Sequence, residues 1–424
     1  MSRFKIAVVG AGSSYTPEIV EGLATRRDRL PVDEIALTDI DERRLEIMAG
    51  FCRRFLKRLG SDIQITATTD RRSAIDGARF VVTQIRVGGN AQRILDEKIP
   101  LKYDVIGQET TGPGGMMKAF RTIPAMLDIA RDVEACSPDA TMINYSNPAG
   151  LLTEAVQRVS PVKIAGLCAG GLFPAWYARK ALDVPADQVR YGYFGLNHLN
   201  FAYNITIHGR PLTDEEFERV AEVAGRGGVD AQLVKTLRLI PSPYLQYFFH
   251  AARAVRHAQS KPLSRGEEVL ALVDEAFRAY ADETQDTKPE ALTKRGGGGY
   301  SAVAIGILDA LYNDANEVIV VNVANQGVVK GLPDDAVVEI PCLVNAAGIV
   351  PLNMPDIPRA VWGLVAAVKN YEQLAVDAAL TGSRDTALLA LIAHPLVGDY
   401  DVAAPMLDEM LAANRAFLPQ FFER

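Results

Sequence analysis

The chain reads as an α/β protein: a doubly wound, mostly parallel sheet over residues 1–190, then a mixed α+β, mainly helical domain over 191–424. Three observations predict this. Short β-branched apolar runs alternate with amphipathic helical stretches through the first 190 residues, which is the pattern of βαβ units. A glycine-rich segment, Gly10-Ala-Gly-Ser-Ser-Tyr15, sits directly between the first strand run and the first helical run. From about Tyr191 the rhythm changes, first to alternating aromatic and polar residues and then to long helical stretches.

The elements follow in order. Phe4–Val9 reads as a strand, and Thr16 as the cap of a helix with Pro17 at its first position, where a missing N–H costs nothing. Glu34–Thr38 is the next strand and Glu42–Leu59 a helix. Ile63–Ala67, Phe80–Ile85, Ala140–Tyr145 and Val162–Leu167 continue as strands, with helices near Met116–Ala135, Leu151–Val159 and Pro174–Leu182. Most of these strand runs are uniformly apolar, as expected when helices cover both faces of a parallel sheet. Beyond the boundary near 190, Tyr191–Ile207 has antiparallel character. Asp214–Ala224, Gly266–Ala281, Ala360–Leu380 and Ala403–Phe417 read as helices.

Composition narrows the function. The 45 Lys and Arg against 52 Asp and Glu leave a net charge of −7, without the clustered basic residues that nucleic acid demands. The four cysteines, Cys52, Cys136, Cys168 and Cys342, are far apart and form no CxxC pair, so neither a zinc module nor a disulfide framework is expected. After Lys5 the apolar run is only Ile6–Val9, too short for a secretory signal. Tyr191–Gly209, the longest stretch without Asp, Glu, Lys or Arg, carries three asparagines and two histidines, which a bilayer core would penalise. The expectation is a cytoplasmic protein with no membrane or nucleic-acid partner.

The Gly10–Tyr15 segment has the context of a phosphate-binding loop in a Rossmann-like fold. Gly10 permits the tight turn, Gly12 lets backbone approach a pyrophosphate, and the helix start presents free N–H groups beside Ser13 and Ser14. Tyr15 replaces the usual third glycine. Asp39 ends the second strand, where a carboxylate accepts bonds from ribose hydroxyls and repels a 2′-phosphate, so NAD is expected rather than NADP. The competing reading is an ordinary tight strand–helix turn.

Longer signatures occur in one order along the chain: Gly10-Ala-Gly-Ser-Ser-Tyr-Thr-Pro17, Gly107-Gln-Glu-Thr-Thr-Gly112, Asn147-Pro148, Gly166-Leu-Cys168, Gly195-Leu-Asn-His198, Ser242-Pro-Tyr244, Leu292-Thr-Lys-Arg-Gly296 and His394-Pro395. In these the chain resembles glycoside hydrolase family 4, the NAD- and metal-dependent glycosidases, and most of all its 6-phospho-β-glucosidase branch. The resemblance implies the architecture of the lactate/malate dehydrogenase-like superfamily, and a homodimer or homotetramer. It also implies a redox-neutral hydrolysis of a phosphorylated glycoside, outside the usual two-carboxylate scheme. Carbon 3 of the sugar is oxidised by hydride transfer to NAD⁺, a base takes the acidified proton from carbon 2, and the aglycone leaves carbon 1. Water then adds and carbon 3 is reduced again.

Residue by residue, Cys168 and His198 match the family's metal ligands, with Mn²⁺ as the implied ion, and Tyr244 matches the base for the carbon 2 proton. Outside that motif, Cys168 reads as a small buried hydrophobe and His198 as a hydrogen-bonded core group. Tyr247, three residues on, competes with Tyr244, but a packing role fits it better. Asn147 and its neighbour Asn144 stand where an amide bridges sugar and nicotinamide ribose. Arg93, Arg265 and Arg295 are candidates for the 6-phosphate, since guanidinium recognises phosphate bidentately. Glu109 either bonds a sugar hydroxyl or stabilises its own loop, and Gly296–Gly299 either lets backbone approach the ligand or serves as a hinge. His394 has no assigned role.

One position departs from the family. After the motif cysteine, the 6-phospho-β-glucosidases typically carry Asn, the 6-phospho-α-glucosidases Asp and the α-galactosidases His; here stands Ala169, followed by Gly170 and Gly171. An acid catalyst at this position is excluded. The alternatives that stay open are another glycosidase of the family (6-phospho-α-glucosidase, α-galactosidase or α-glucuronidase type), an NAD-dependent 2-hydroxy-acid dehydrogenase, and a nucleotide-binding sensor without turnover.

Overall fold

The computed structural model describes residues 3–295 and 300–423. Six parallel strands form the first half of a large sheet: β1 (Phe4–Val9), β2 (Val32–Thr38), β3 (Gln64–Thr68), β4 (Ala78–Thr83), β5 (Thr141–Asn144) and β6 (Lys163–Gly166). Their order is β3-β2-β1-β4-β5-β6, so the chain reverses its winding direction between β1 and β4. The connecting helices are α1 (Thr16–Ala24), α2 (Glu42–Arg58), α3 (Arg71–Ile75), α4 (Gly89–Leu101), α5 (Gly112–Cys136) and α6 (Ala149–Val159). Helix α2 shows why such segments dock. Asp41 caps it by accepting from the Arg44 N–H at 3.0 Å. Leu45, Met48, Ala49, Cys52, Phe55 and Leu56 recur every three or four residues and are buried. Each large apolar side chain so buried stabilises the fold by roughly 1.5–3 kcal/mol.

After α7 (Phe173–Leu182) the chain forms a second, antiparallel sheet. It contains β7 (Val189–Leu196), β8 (Leu199–Ile207), β9 (Arg210–Pro211) and, beyond α8 (Asp214–Gly225) and α9 (Ala231–Leu237), β10 (Ile240–Pro241). Helices α10 (Gln246–Phe249), α11 (Ala251–Ser260), α12 (Arg265–Ala281), α13 (Glu290–Arg295) and α14 (Tyr300–Asn313) follow. The chain then returns to the first sheet, where β11 (Glu317–Ala324), β12 (Val337–Asn345) and β13 (Gly348–Pro351) extend it antiparallel beyond β6, giving nine strands. A long helix, α15 (Arg359–Thr381), packs against α5 and α6.

Several expectations need correction. Thr16 is not a cap: it is the first residue of α1, and its hydroxyl donates back to the Ala11 carbonyl at 2.7 Å, tying helix to loop. Strand β4 begins and ends two residues earlier than the apolar run suggested: Ala78 already pairs with Lys5, and the register then skips Arg79 before Phe80 pairs with Ile6. Helix α5 starts at Gly112, since Pro113 fits its first turn. The C-terminal helix expected at Ala403–Phe417 runs Tyr400–Ala413 and closes in a tight turn at Arg415–Phe417. Among the described residues no helix is long and apolar enough to cross a membrane.

Candidate functional site

The site gathers at the C-terminal edge of the parallel strands, where open α/β sheets leave a crevice at the point of reversal. The glycine loop is held by two N–H bonds, from Gly10 and Ala11 to the Thr38 carbonyl, at 2.9 and 3.0 Å. Gly10 has φ +86°, and a Cβ there would lie 2.8 Å from the Gln84 carbonyl oxygen, so only glycine fits. At Gly12 a Cβ would meet the Asp39 carboxylate at 2.8 Å. That carboxylate accepts from the Gly12 N–H at 2.8 Å and from the Asp41 N–H at 2.9 Å, so Asp39 first shapes the loop and keeps further lone pairs for a ligand. Ser13 accepts from the Tyr15 N–H at 3.3 Å, and the buried Ser14 hydroxyl has no protein partner. A glycine loop with an unsatisfied buried hydroxyl at a helix start fits a dinucleotide pyrophosphate.

Cys168 lies two residues beyond the end of β6, and its thiol sulfur accepts from the Gly170 N–H at 3.3 Å. His198 occupies the two-residue turn between β7 and β8 in the left-handed region, φ +65°. It is 3% exposed, yet neither ring nitrogen has a hydrogen-bond partner. Burial pushes its pKa down to about 3, so the imidazole is neutral and able to ligate a metal. The ring stacks flat on Tyr244, centroids 3.7 Å apart and planes 3° from parallel. Tyr244 is placed by Ser242, whose hydroxyl accepts from its N–H at 3.4 Å. Burial, then the negative charges of Cys168 and Glu109, push the Tyr244 phenol up. Among the described residues no group of three or more His, Cys, Asp and Glu gathers around one point. The thiol and the imidazole with unpartnered nitrogens fit a divalent ion as two ligands, with ligand oxygens for the rest.

Asn147 is half-buried before Pro148, and its side-chain carbonyl oxygen has no protein partner. Asn144, by contrast, is spent. Its carbonyl oxygen accepts from Thr83 and from the Ser146 N–H, and its amide donates to the Ser146 carbonyl, so it bridges no ligand.

Glu109 sits among cations. Arg86 donates to it at 2.7 Å, Lys118 at 2.9 Å, and an Arg93 nitrogen lies 3.3 Å away. Arg93 is buried and also donates to Glu97 at 2.7 Å. Arg295 lies with its guanidinium 4.2 Å over the Tyr15 ring, and its buried Nε has no partner. Arg265 is more remote, bonded to Glu268 at 2.9 Å and to the Arg295 carbonyl at 2.7 Å. The geometry thus joins Arg93, Glu109 and, less directly, Arg295, and leaves Arg265 at the rim. Gly296–Gly299 lies outside the described residues. Sequence reasoning missed Arg86 and Lys118. Lys118 gives a signal in hindsight, as a lone charge within the apolar run Met116-Met-Lys-Ala-Phe120.

A doubly wound sheet with a glycine loop beside its point of reversal defines the class as a nucleotide-binding α/β fold. Comparison with known proteins makes that particular. Residues 5–173 match the family 4 glycosyl hydrolase model and residues 193–397 match the model of its C-terminal domain. The chain belongs to glycoside hydrolase family 4. It is 41% identical to the probable 6-phospho-beta-glucosidase of Bacillus subtilis, over 99% of this chain and 98% of that one. A solved structure of the Thermotoga maritima 6-phospho-beta glucosidase, with manganese, NAD⁺ and glucose-6-phosphate, matches with a TM-score of 0.90 at 34% identity, over 98% and 99% of the two chains. The lactate dehydrogenase of Cryptosporidium parvum shares the fold alone, at TM-score 0.58 and 16% identity over 89% of this chain and 99% of that one.

Proposed function

We propose that this protein hydrolyses 6-phospho-β-glucosides in the cytoplasm, as a homo-oligomer using NAD⁺ and Mn²⁺, with residues 1–190 carrying the nucleotide and 191–424 completing the substrate site. The observation that carries the reading is the buried His198 ring, both nitrogens unpartnered, stacked on Tyr244 beside Cys168. NAD⁺ when bound supplies a hydride acceptor and donor, and the metal supplies a Lewis acid beside carbon 3. Gly10, Gly12, Ser13, Ser14 and Asp39 hold the dinucleotide, and Asn147 reaches toward ribose and sugar. Cys168 and His198 hold the metal. Tyr244 takes the proton from carbon 2; its phenol, pushed up by burial and negative neighbours, needs a cation close by before it can serve as a base. Arg93 and Arg295, with Arg265 at the rim, face the 6-phosphate, and Glu109 fixes the cations between them. Ala169 offers no acid for the leaving group.

The test is a chromogenic panel, α against β, glucose against galactose, with and without the 6-phosphate. With Mn²⁺ and substoichiometric NAD⁺, release of many aglycones per NAD⁺ from the β-glucoside 6-phosphate supports the reading. Stoichiometric NADH marks a dehydrogenase, and nucleotide binding without turnover a sensor. In D₂O, deuterium enters carbon 2 of the product. Tyr244→Phe suppresses that exchange by about 10²–10⁴-fold, the usual worth of a positioned general base, while NAD⁺ binding is kept.

A further inference from the structure

A buried carboxylate is bonded to residues of the two turns that carry the candidate metal ligands, and nothing in the reaction outlined above uses it. Glu339, on β12, is 1% exposed. One of its oxygens accepts from the Tyr193 hydroxyl at 2.8 Å and the Asn200 amide at 3.0 Å. The other accepts from the amides of Asn197 at 3.2 Å and Asn322 at 3.1 Å. These four partners belong to the segments around His198 and Cys168. Asn197 and Asn200 flank His198, and Asn200 also donates across the turn to the Leu196 carbonyl. The Asn200 carbonyl in turn accepts from Ser242, which places Tyr244. Asn322 donates to the Gly166 carbonyl, two residues before Cys168. Tyr193 reaches the Cys168 turn from below: a Cβ on Gly170 would lie 3.0 Å from its hydroxyl and 3.2 Å from Glu339.

All four donors are neutral, so among the described residues no bonded cation offsets the charge of the carboxylate when it is ionised. The next acid inward is no help, because Glu372, pushed up to about 7 chiefly by burial, feels Glu339 as a like charge. A carboxylate left this way is costly unless a cation approaches. Its donors tie it to the two turns that carry the candidate ligands, Asn197 and Asn200 to that of His198, Tyr193 and Asn322 to that of Cys168.

We propose that Glu339 is a positioning residue of the metal site, fixing the His198 turn and the Cys168 turn against one another and lending the site the negative charge that a divalent cation requires. Outer partners of metal ligands typically set affinity by 10–100-fold. The inference rests on the reading of Cys168 and His198 as ligands. Glu339→Gln keeps the shape but turns an NH₂ toward donors. Titrating holoenzyme-forming mixtures of protein, NAD⁺ and glucose 6-phosphate with Mn²⁺, with free Mn²⁺ read by electron paramagnetic resonance, separates the possibilities. The expected result is a Kd for Mn²⁺ raised at least tenfold in Glu339→Gln, with the NAD⁺ affinity of the folded protein unchanged. An unchanged Mn²⁺ Kd alongside a lowered Tm makes Glu339 merely structural and overturns the proposal. Failure of the wild type to bind Mn²⁺ overturns the ligand reading as well. If Glu339→Gln does not fold, Tyr193→Phe, which removes one donor of the four, is expected to raise the Kd about threefold, and no change there overturns the proposal equally.

Discussion

Glu109 and Glu339 lie near the same crevice and are satisfied by opposite means. Glu339 accepts four hydrogen bonds from neutral groups and, among the described residues, pairs with no cation. Glu109 meets Arg86, Arg93 and Lys118. Around Glu109 two arginines match the two acids, Glu109 and Glu97, and Lys118, pushed down to about 7 chiefly by burial, adds positive charge to the extent that it is protonated. Around Glu339 the surplus is negative. The crevice therefore holds two buried carboxylates in opposite surroundings, one bonded to cations and one to neutral donors alone, and Tyr244 feels the charge of both. Net charge conceals this entirely: −7 over the chain says nothing about two clusters a few residues wide.

The strongest way to break the comparison is Glu109→Gln. It strips three cations of their shared anion, and removing one partner of a largely buried ion cluster costs about 3 kcal/mol, the lower end of the usual range because the Glu109 side chain is 17% exposed. Urea unfolding measures the loss. Glucose 6-phosphate should raise the Tm of this variant more than that of the wild type, since the ligand replaces the missing anion. A loss below about 1 kcal/mol, within the range of exposed ion pairs, would mean that the cations are satisfied by solvent.

A smaller effect, and a sharper one, lies in the pH dependence of the metal-free protein. Burial pushes Glu109 up, but Arg86, Lys118 and Arg93 together outweigh it and hold the carboxyl well below its ordinary 4.5. Its stabilisation is thus present above pH 4.5 and lost as pH falls through the depressed folded value. Glu339 is raised instead, burial outweighing the hydrogen bonds from Tyr193, Asn197 and Asn322. Its contribution is fully present below 4.5 and lost as pH rises through the raised folded value. Relative to wild type, the stability deficits of Glu109→Gln and Glu339→Gln should therefore change in opposite directions between pH 3 and 7. Parallel slopes in urea unfolding would remove the distinction between the two carboxylates.

Much of this arrangement was legible in the sequence wherever chemistry is local. The glycine loop and Asp39 sit on short segments whose residues state their own requirement, whereas Cys168, His198 and Tyr244 stood out only through the family motifs around them. The nine-stranded sheet was not legible. Glu317-Val-Ile-Val-Val-Asn-Val-Ala324 is a plain β-branched run, but nothing local says that it pairs with Gly166, 156 residues earlier. Asn322 and Glu339 escaped for the same reason. Each is a lone polar residue inside an apolar strand, which signals a buried partner without naming it, and the partners arrive only through long-range pairing. Lys118 within its apolar helix is the same signal beside Glu109. The sequence misled at Asn144, where an amide at a strand end looked available although the next turn consumes it.

The smallest expected effect tests whether the surroundings of Glu339 are rigid. Gly170 has no positive φ, so alanine there carries no backbone penalty and gains about 0.4–1 kcal/mol by restricting the unfolded chain. Against that, the new methyl meets the Tyr193 hydroxyl at 3.0 Å, Glu339 at 3.2 Å and the Asn200 amide at 3.4 Å, all of them tied to the same carboxylate. Overpacking of this kind typically costs about 1–3 kcal/mol when the neighbours cannot move. If the four-donor arrangement is rigid, Gly170→Ala loses about 1 kcal/mol net and weakens Mn²⁺ binding severalfold, because the same turn sets the Cys168 sulfur through the Gly170 N–H. If Tyr193 and Asn200 yield by a few tenths of an ångström, stability rises slightly and the metal affinity is kept. The carboxylate would then supply charge to the metal without fixing its ligands, and the two measurements, a urea midpoint and a Mn²⁺ titration on one variant, tell these cases apart.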